Sequence, residues 1–294
     1  MTLPLAHDDT ARGLARQTYR TLEPLHLLAY FNPYAREAQK ELGLRWTAYY
    51  VGARGGPLGD VPGRVLTATF FNFNGAIVEP GWQAAKDRGL NQVMASRERS
   101  VTRTLDDIFG ADDAVVARSL VERWRPIAEG LPTVGRPLAA AWAAMPWPDA
   151  PLLQLWHVTA LLREWRGDGH IAVLVQSGLT PAEALVFHEA AHPDPAARKS
   201  TLGREMAQGS RGWSDDEWAA AAESLRARGL LEPDAERYTA DGVAFYDALE
   251  LATDDAAAGI WTSVDDGEGL LADTRPLVKR VIDAGVLPGT TKKS

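Results

Sequence analysis

Ser214-Asp215-Asp216-Glu217 opens the stretch whose reading decides the fold. A hydroxyl residue followed three positions later by a carboxylate is a capping box, so a helix is expected from Ser214 toward Gly229, a residue of the type that closes helices. Arg237-Tyr238-Thr239-Ala240-Asp241-Gly242 then reads as the return strand of a small β-hairpin wing, followed by the N-cap of a closing helix. Residues 178–252 are thus patterned as a winged helix-turn-helix, with the helix after Ser214 in the recognition position. Its charge is the wrong sign for DNA. From Trp213 to Ala252 ten acidic side chains stand against Arg226, Arg228 and Arg237, whereas phosphate contacts dominate DNA affinity and require cations.

Outward from that stretch the imbalance persists. The chain of 294 residues carries a net charge of −8, concentrated in its C-terminal part, and the remainder offers no basic stripe. No nucleic-acid partner is therefore expected. Hydrophobic residues at 46% and charged residues at 24% are those of a globular protein with a substantial core. The absence of cysteine excludes disulfides, thiolate nucleophiles, cysteinyl zinc sites and iron–sulfur clusters. The opening Met-Thr-Leu-Pro-Leu lacks a basic and an apolar signal region, and no apolar run approaches a membrane span. A cytoplasmic address without a membrane partner is expected.

Apolar spacing of helical period recurs from end to end, and strand signals are scarce. A first helix is expected over about residues 9–31, kinked at Pro24, and a shorter one over 34–42. The aromatic run Thr69-Phe70-Phe71-Asn72-Phe73-Asn74 keeps helical spacing with Val65, Ala68 and Ile77 and is read as helix. Residues 91–130 read as two amphipathic helices parted at Gly110-Ala111-Asp112-Asp113. A strongly apolar central helix is expected over 152–166, ending in the glycine-containing turn Gly167-Asp168-Gly169-His170, and a last helix over 274–284. The fold class is mainly α: two helical lobes with a C-terminal winged-helix module containing a small β-hairpin. The domains are 1–177, with the central helix; 178–252, winged-helix-like; and 253–294, a helical extension.

Candidate chemistry concentrates on the central helix. His157 and Glu164 lie about 20° apart on a helical wheel, with Gln154 on the same broad face, and a polar line on a buried helix must be satisfied by protein, water or ligand. Arg163 and Arg166 could clamp a carboxylate or phosphate, or face a helix C-terminal dipole. Asp168 and His170, flanked by glycines, form a candidate acid/base pair. Glu23 and His26 sit at i and i+3, with Tyr30 one turn beyond, and form a second candidate. Asn72 and Asn74 among Phe70, Phe71 and Phe73 suit an apolar pocket with a few placed polar groups. Trp147 adds stacking surface, and Arg54 lies in a glycine-rich loop without the strand–helix context of a phosphate site. Against each stands the reading that it packs or hydrogen-bonds within the core. No nucleotide-binding, serine-hydrolase or zinc-protease motif is present, so the residues name no cofactor; His26, His157 and His170 could converge on a metal or haem iron, but they are widely separated in sequence.

With Leu22-Glu23-Pro24-Leu25-His26, Phe70 to Phe73, the segment from Leu162 to His170, and Arg211-Gly212-Trp213-Ser214 in view, the chain resembles a family of actinobacterial proteins of undefined role, usually described only as helix-turn-helix proteins. Residues 214–252 are separately similar to the winged helix of MarR-type regulators. Both resemblances imply the helical architecture and assign no activity.

The function expected from the residues is binding of a small, partly aromatic or hydrophobic molecule in a pocket between helical lobes, with His/Asp acid–base catalysis as an extension. The runner-up is a ligand-responsive, MarR-like transcription regulator, for which a homodimer is compatible with the sequence. A pocketless interaction module is the third. The pocket reading expects His26 and His157 to converge on one cavity.

Overall fold

The computed structural model describes residues 5–197 and 201–292. Fourteen α-helices follow one another among these residues: α1 (Asp9–Leu27), α2 (Ala35–Leu42), α3 (Trp46–Gly55), α4 (Gly63–Phe70), α5 (Gly75–Arg88), α6 (Leu90–Ile108), α7 (Ala111–Glu129), α8 (Pro137–Ala143), α9 (Pro151–Gln176), α10 (Pro181–Glu189), α11 (Arg204–Arg211), α12 (Asp215–Ala227), α13 (Ala240–Ala256) and α14 (Gly267–Asp283). Short 3₁₀ turns occupy Gly56–Leu58 and Gly259–Ser263. Among the described residues no single helix is long and apolar enough to cross a membrane.

The axis of the molecule is α9. Pro151 starts it at the first helical position, where a missing N–H costs nothing. Fourteen of its residues are buried and they lie all round the helix, the pattern of a helix enclosed on every side. Helices α1, α6, α7, α8 and α13 pack around it. The main core runs from Ala11 to Leu287 and includes the fully buried Trp82, Trp124, Trp142 and Trp156. A second, smaller core gathers Leu174 from the end of α9 with Leu185, Phe187, Trp218, Leu225, Tyr238 and Leu249.

Three expectations need correction. First, the wing is absent: among the described residues there is no β-strand, only the isolated bridges Ala191–Arg237 and Leu231–Tyr238. Between Leu231 and Arg237 lie five residues that include Pro233, so no paired stretch is long enough to form a ladder, and Tyr238 instead anchors the segment by donating its hydroxyl to the Phe187 carbonyl at 2.6 Å. Helices α10 to α13 follow one another here without a β-hairpin. Second, the aromatic run is a corner and not a helix. α4 stops at Phe70, Phe71 takes φ +45° and ψ −72°, and Asn74 caps α5 by accepting from the Ala76 N–H.

Third, Gly167-Asp168-Gly169-His170 is no turn, because α9 continues through it for another two turns to Gln176. Gly169 is used for close approach. A Cβ on Gly169 would lie 2.5 Å from Nη1 of Arg136, whose guanidinium donates to the carbonyls of Trp165 and Ala256. The gain in packing outweighs the cost of about 1 kcal/mol that each glycine imposes on a helix interior. Pro24 likewise does not break α1, which runs through it to Leu27 with the loss of one backbone hydrogen bond.

Candidate functional site: an arginine-rich cavity between the two cores

A cavity of about 600 Å³ opens where α1, α3, the α4–α5 corner, α9, α11 and α13 meet. Tyr19, Tyr50, Phe70, Phe71, Phe73 and Tyr246 supply its aromatic surface, and Arg16, Arg20, Arg54, Arg163, Arg166 and Arg211 its positive charge, with Glu250 as the carboxylate in the wall. Its size suits a small organic molecule.

The cationic wall is built on a buried ion cluster. Arg54 reaches from α3 to Glu164 on α9 in a two-pronged contact, Nε to Oε1 at 2.9 Å and Nη2 to Oε2 at 2.8 Å. Arg163 adds 3.2 Å contacts to the same carboxylate and stands 3.8 Å from Glu23. Burial alone would raise the Glu164 carboxyl, but the two guanidiniums outweigh it and hold it at about 2. Glu23 is less well compensated, and burial raises its pKa. On the far wall, Arg16 and Arg166 both pair with Asp254 of α13, at 2.5 and 3.1 Å.

Arg211 differs from these. It is the last residue of α11, its guanidinium lies 4.2 Å above the Phe73 ring, and its Nε is buried without an acceptor. It makes no ion pair among the described residues, and burial followed by the nearby positive charges of Arg54 and Arg163 lowers its pKa. The corner that carries Phe71 holds this arginine in place. The Asn74 N–H donates to the Arg211 carbonyl at 2.9 Å, and Trp213 donates its indole N–H to the Asn72 carbonyl at 2.9 Å. Gly212 makes the turn between α11 and α12 at φ +77°, where a Cβ would clash with Ile77 at 2.6 Å. Ser214 then caps α12 with Glu217 completing the reciprocal bond.

Of the residues singled out from the sequence, Arg54, Asn72, Arg163, Arg166 and His170 line this cavity. Glu164 stands behind it, and Asn74 sits at its edge, reaching Glu217 at 3.3 Å. The others go elsewhere. His26 is fully buried, neither ring nitrogen has a partner, and burial lowers its pKa to about 3. Tyr30, against the edge of the His26 ring, has an equally unpartnered hydroxyl. His157 packs against Trp142 and Trp147 and is lowered to about 4 by burial. Neither histidine lines the cavity, so the expected convergence of His26 and His157 does not occur. Asp168 and His170 are two positions apart on a continuous helix and point about 160° apart. Asp168 accepts from the Ala139 N–H at 2.9 Å in the core, where burial raises it to about 6, so the two do not form an acid/base pair. Among the described residues no group of acidic and histidine side chains could hold a metal ion.

Sequence reasoning missed Tyr50, Arg16 and Tyr246 as wall residues, and named Arg211 only as part of a motif. The αL-prone Gly212 immediately after it was the available signal. A family model described as a helix-turn-helix family matches residues 15–288, taking in both cores and the cavity between them. The chain belongs to that family. No curated protein and no solved structure matches this helix-turn-helix protein.

Proposed function

We propose that this protein is a ligand-responsive regulator in which the cavity is the effector site and the α11–turn–α12 unit is the output. The observation that carries the reading is Arg211, which is at once a wall of the cavity and the last residue before the turn. An occupant touching Arg211 acts directly on the helix-turn-helix. The strained corner at Phe71 supports the same coupling, since Phe71 lines the cavity and packs into the second core, and unusual backbone conformations collect at sites that switch. A ligand shifts such an equilibrium only by its differential affinity for the two states, and a buried guanidinium that gains a partner in only one of them provides that difference.

One observation favours a second reading, a small-molecule-binding protein in which the helix-turn-helix closes the cavity and no DNA is bound. The exposed face of α12 presents Asp215, Asp216, Glu217 and Glu223, which repel phosphate. Low-salt gel shifts of the full chain against a pool of genomic fragments, with and without a metabolite pool, separate the two. The regulator reading expects a sequence-selective complex that the pool changes. No complex at any salt concentration would overturn it in favour of the second.

A further inference from the structure

Two features of the cavity specify its occupant, and the inference rests on the reading of the cavity as an effector site. The first is unbalanced charge. Arg54 and Arg163 are neutralised from behind by Glu164 and Glu23, and Arg16 and Arg166 by Asp254 together with Glu250, a wall residue whose carboxylate stands 3.1 Å from Arg16. Arg20 at the rim and Arg211 inside have no ion pair among the described residues. A guanidinium with a buried, unsatisfied N–H is costly to hold, and an anion in the cavity relieves that cost with charge-assisted hydrogen bonds.

The second is the tautomer of His170. Thr253 Oγ1 has one proton, which it donates to the Leu249 carbonyl at 2.8 Å. Its oxygen can therefore only accept from His170 Nδ1, 2.8 Å away, so Nδ1 carries the proton. Burial and the neighbouring Arg166 keep the ring neutral, with a pKa of about 3. Nε2 is then a bare lone pair, and because His170 lines the cavity it is an acceptor available to a donor there. The same wall carries the rings of Tyr50 and Phe73, stacked at 5.5 Å, with Phe70 edge-on to Tyr50 and tilted against Phe73.

We infer that the occupant is a flat aromatic anion that also carries a hydroxyl or N–H donor, its anionic group on Arg211 and its donor on His170 Nε2. The probes that test this are naphthoate, the isomeric hydroxynaphthoates, naphthol and a naphthylmethyl ammonium salt, titrated calorimetrically into the full chain. At least one hydroxynaphthoate should bind more tightly than naphthoate, both carboxylates more tightly than naphthol, and the ammonium salt not at all. Arg211→Gln should weaken the carboxylates by about 10- to 100-fold, the range for hydrogen bonds to charged groups, and leave naphthol unchanged. His170→Leu should remove only the advantage of the hydroxyl. Melting curves of both variants establish that they are folded. In the wild type, the ¹⁵N resonance of His170 Nε2 should start at an unprotonated position and move on titration with the hydroxynaphthoate alone. Equal binding of naphthol and naphthoate, indifference to Arg211→Gln, or no carboxylate binding at millimolar concentration each overturns the inference. A DNA complex that responds to metabolites but not to any of these carboxylates sinks the ligand class and leaves the regulator standing.

Discussion

Glu164 has no measurable exposure and holds two guanidiniums, so its removal strands two buried cations. Glu164→Gln is expected to cost about 3–5 kcal/mol in urea unfolding, because breaking one side of a buried ion cluster leaves uncompensated charge. The double change Arg54→Leu/Glu164→Leu should recover part of that loss, and a double variant no better than the single would contradict the assignment. The polar line of the central helix was legible from spacing alone, but its satisfaction was not. Gln154 donates to the Pro148 carbonyl, His157 lies against two indoles, and Glu164 finds an arginine 110 positions away. A helical wheel shows which groups need partners and carries no information on which distant element supplies them.

At the scale of elements, Gly212 joins the helix-turn-helix to the N-terminal lobe. Gly212→Ala places a side chain at φ +77° and against Ile77, and the left-handed conformation alone costs about 1–2 kcal/mol. Equilibrium unfolding should show at least that loss, and Ile77→Ala in the same chain should remove the steric excess above it. Wild-type stability for Gly212→Ala would mean that the turn is not formed as described. Helices with strong periodicity and cap signals were readable from sequence, as α6, α7 and the start of α12 show. The 69–74 segment and the end of α9 were misread because tertiary partners decided them, and the wing because the five residues between Leu231 and Arg237, with Pro233, leave only isolated bridges. Arg136 needs the glycine surface of α9, and the carbonyls of Asn72 and Arg211 bind the corner to the turn, whereas local propensity favoured the opposite in each case.

For the whole molecule, three histidines are held neutral below their ordinary range, His26 and His170 at about 3 and His157 at about 4, from 6.5. The unfolded chain takes up their protons below pH 6.5, so the stability they allow is complete above that pH and is lost as pH falls toward 4 and 3. Asp168 works in the opposite direction. Raised to about 6 from 3.8, it retains a proton in the fold that the unfolded chain releases, and so stabilises as pH falls through that window. Three histidines against Asp168 and Glu23, whose carboxyl burial also raises, give a net decline, and the urea midpoint should drop between roughly pH 6.5 and pH 4. His157→Phe should flatten the drop, and a midpoint independent of pH would show that these rings are not buried neutral.

The claim that unites residues, elements and molecule is that a small molecule in the cavity bears on Arg211 and through it on the helix-turn-helix. A thermal-shift screen of small anions, cations and neutral compounds, run in parallel on the wild type and Arg211→Gln, tests it most directly. The account predicts that anionic compounds raise the wild-type melting temperature and that the rise is largely lost in the variant. A screen in which nothing raises the wild type, or in which every shift survives in Arg211→Gln, would contradict it.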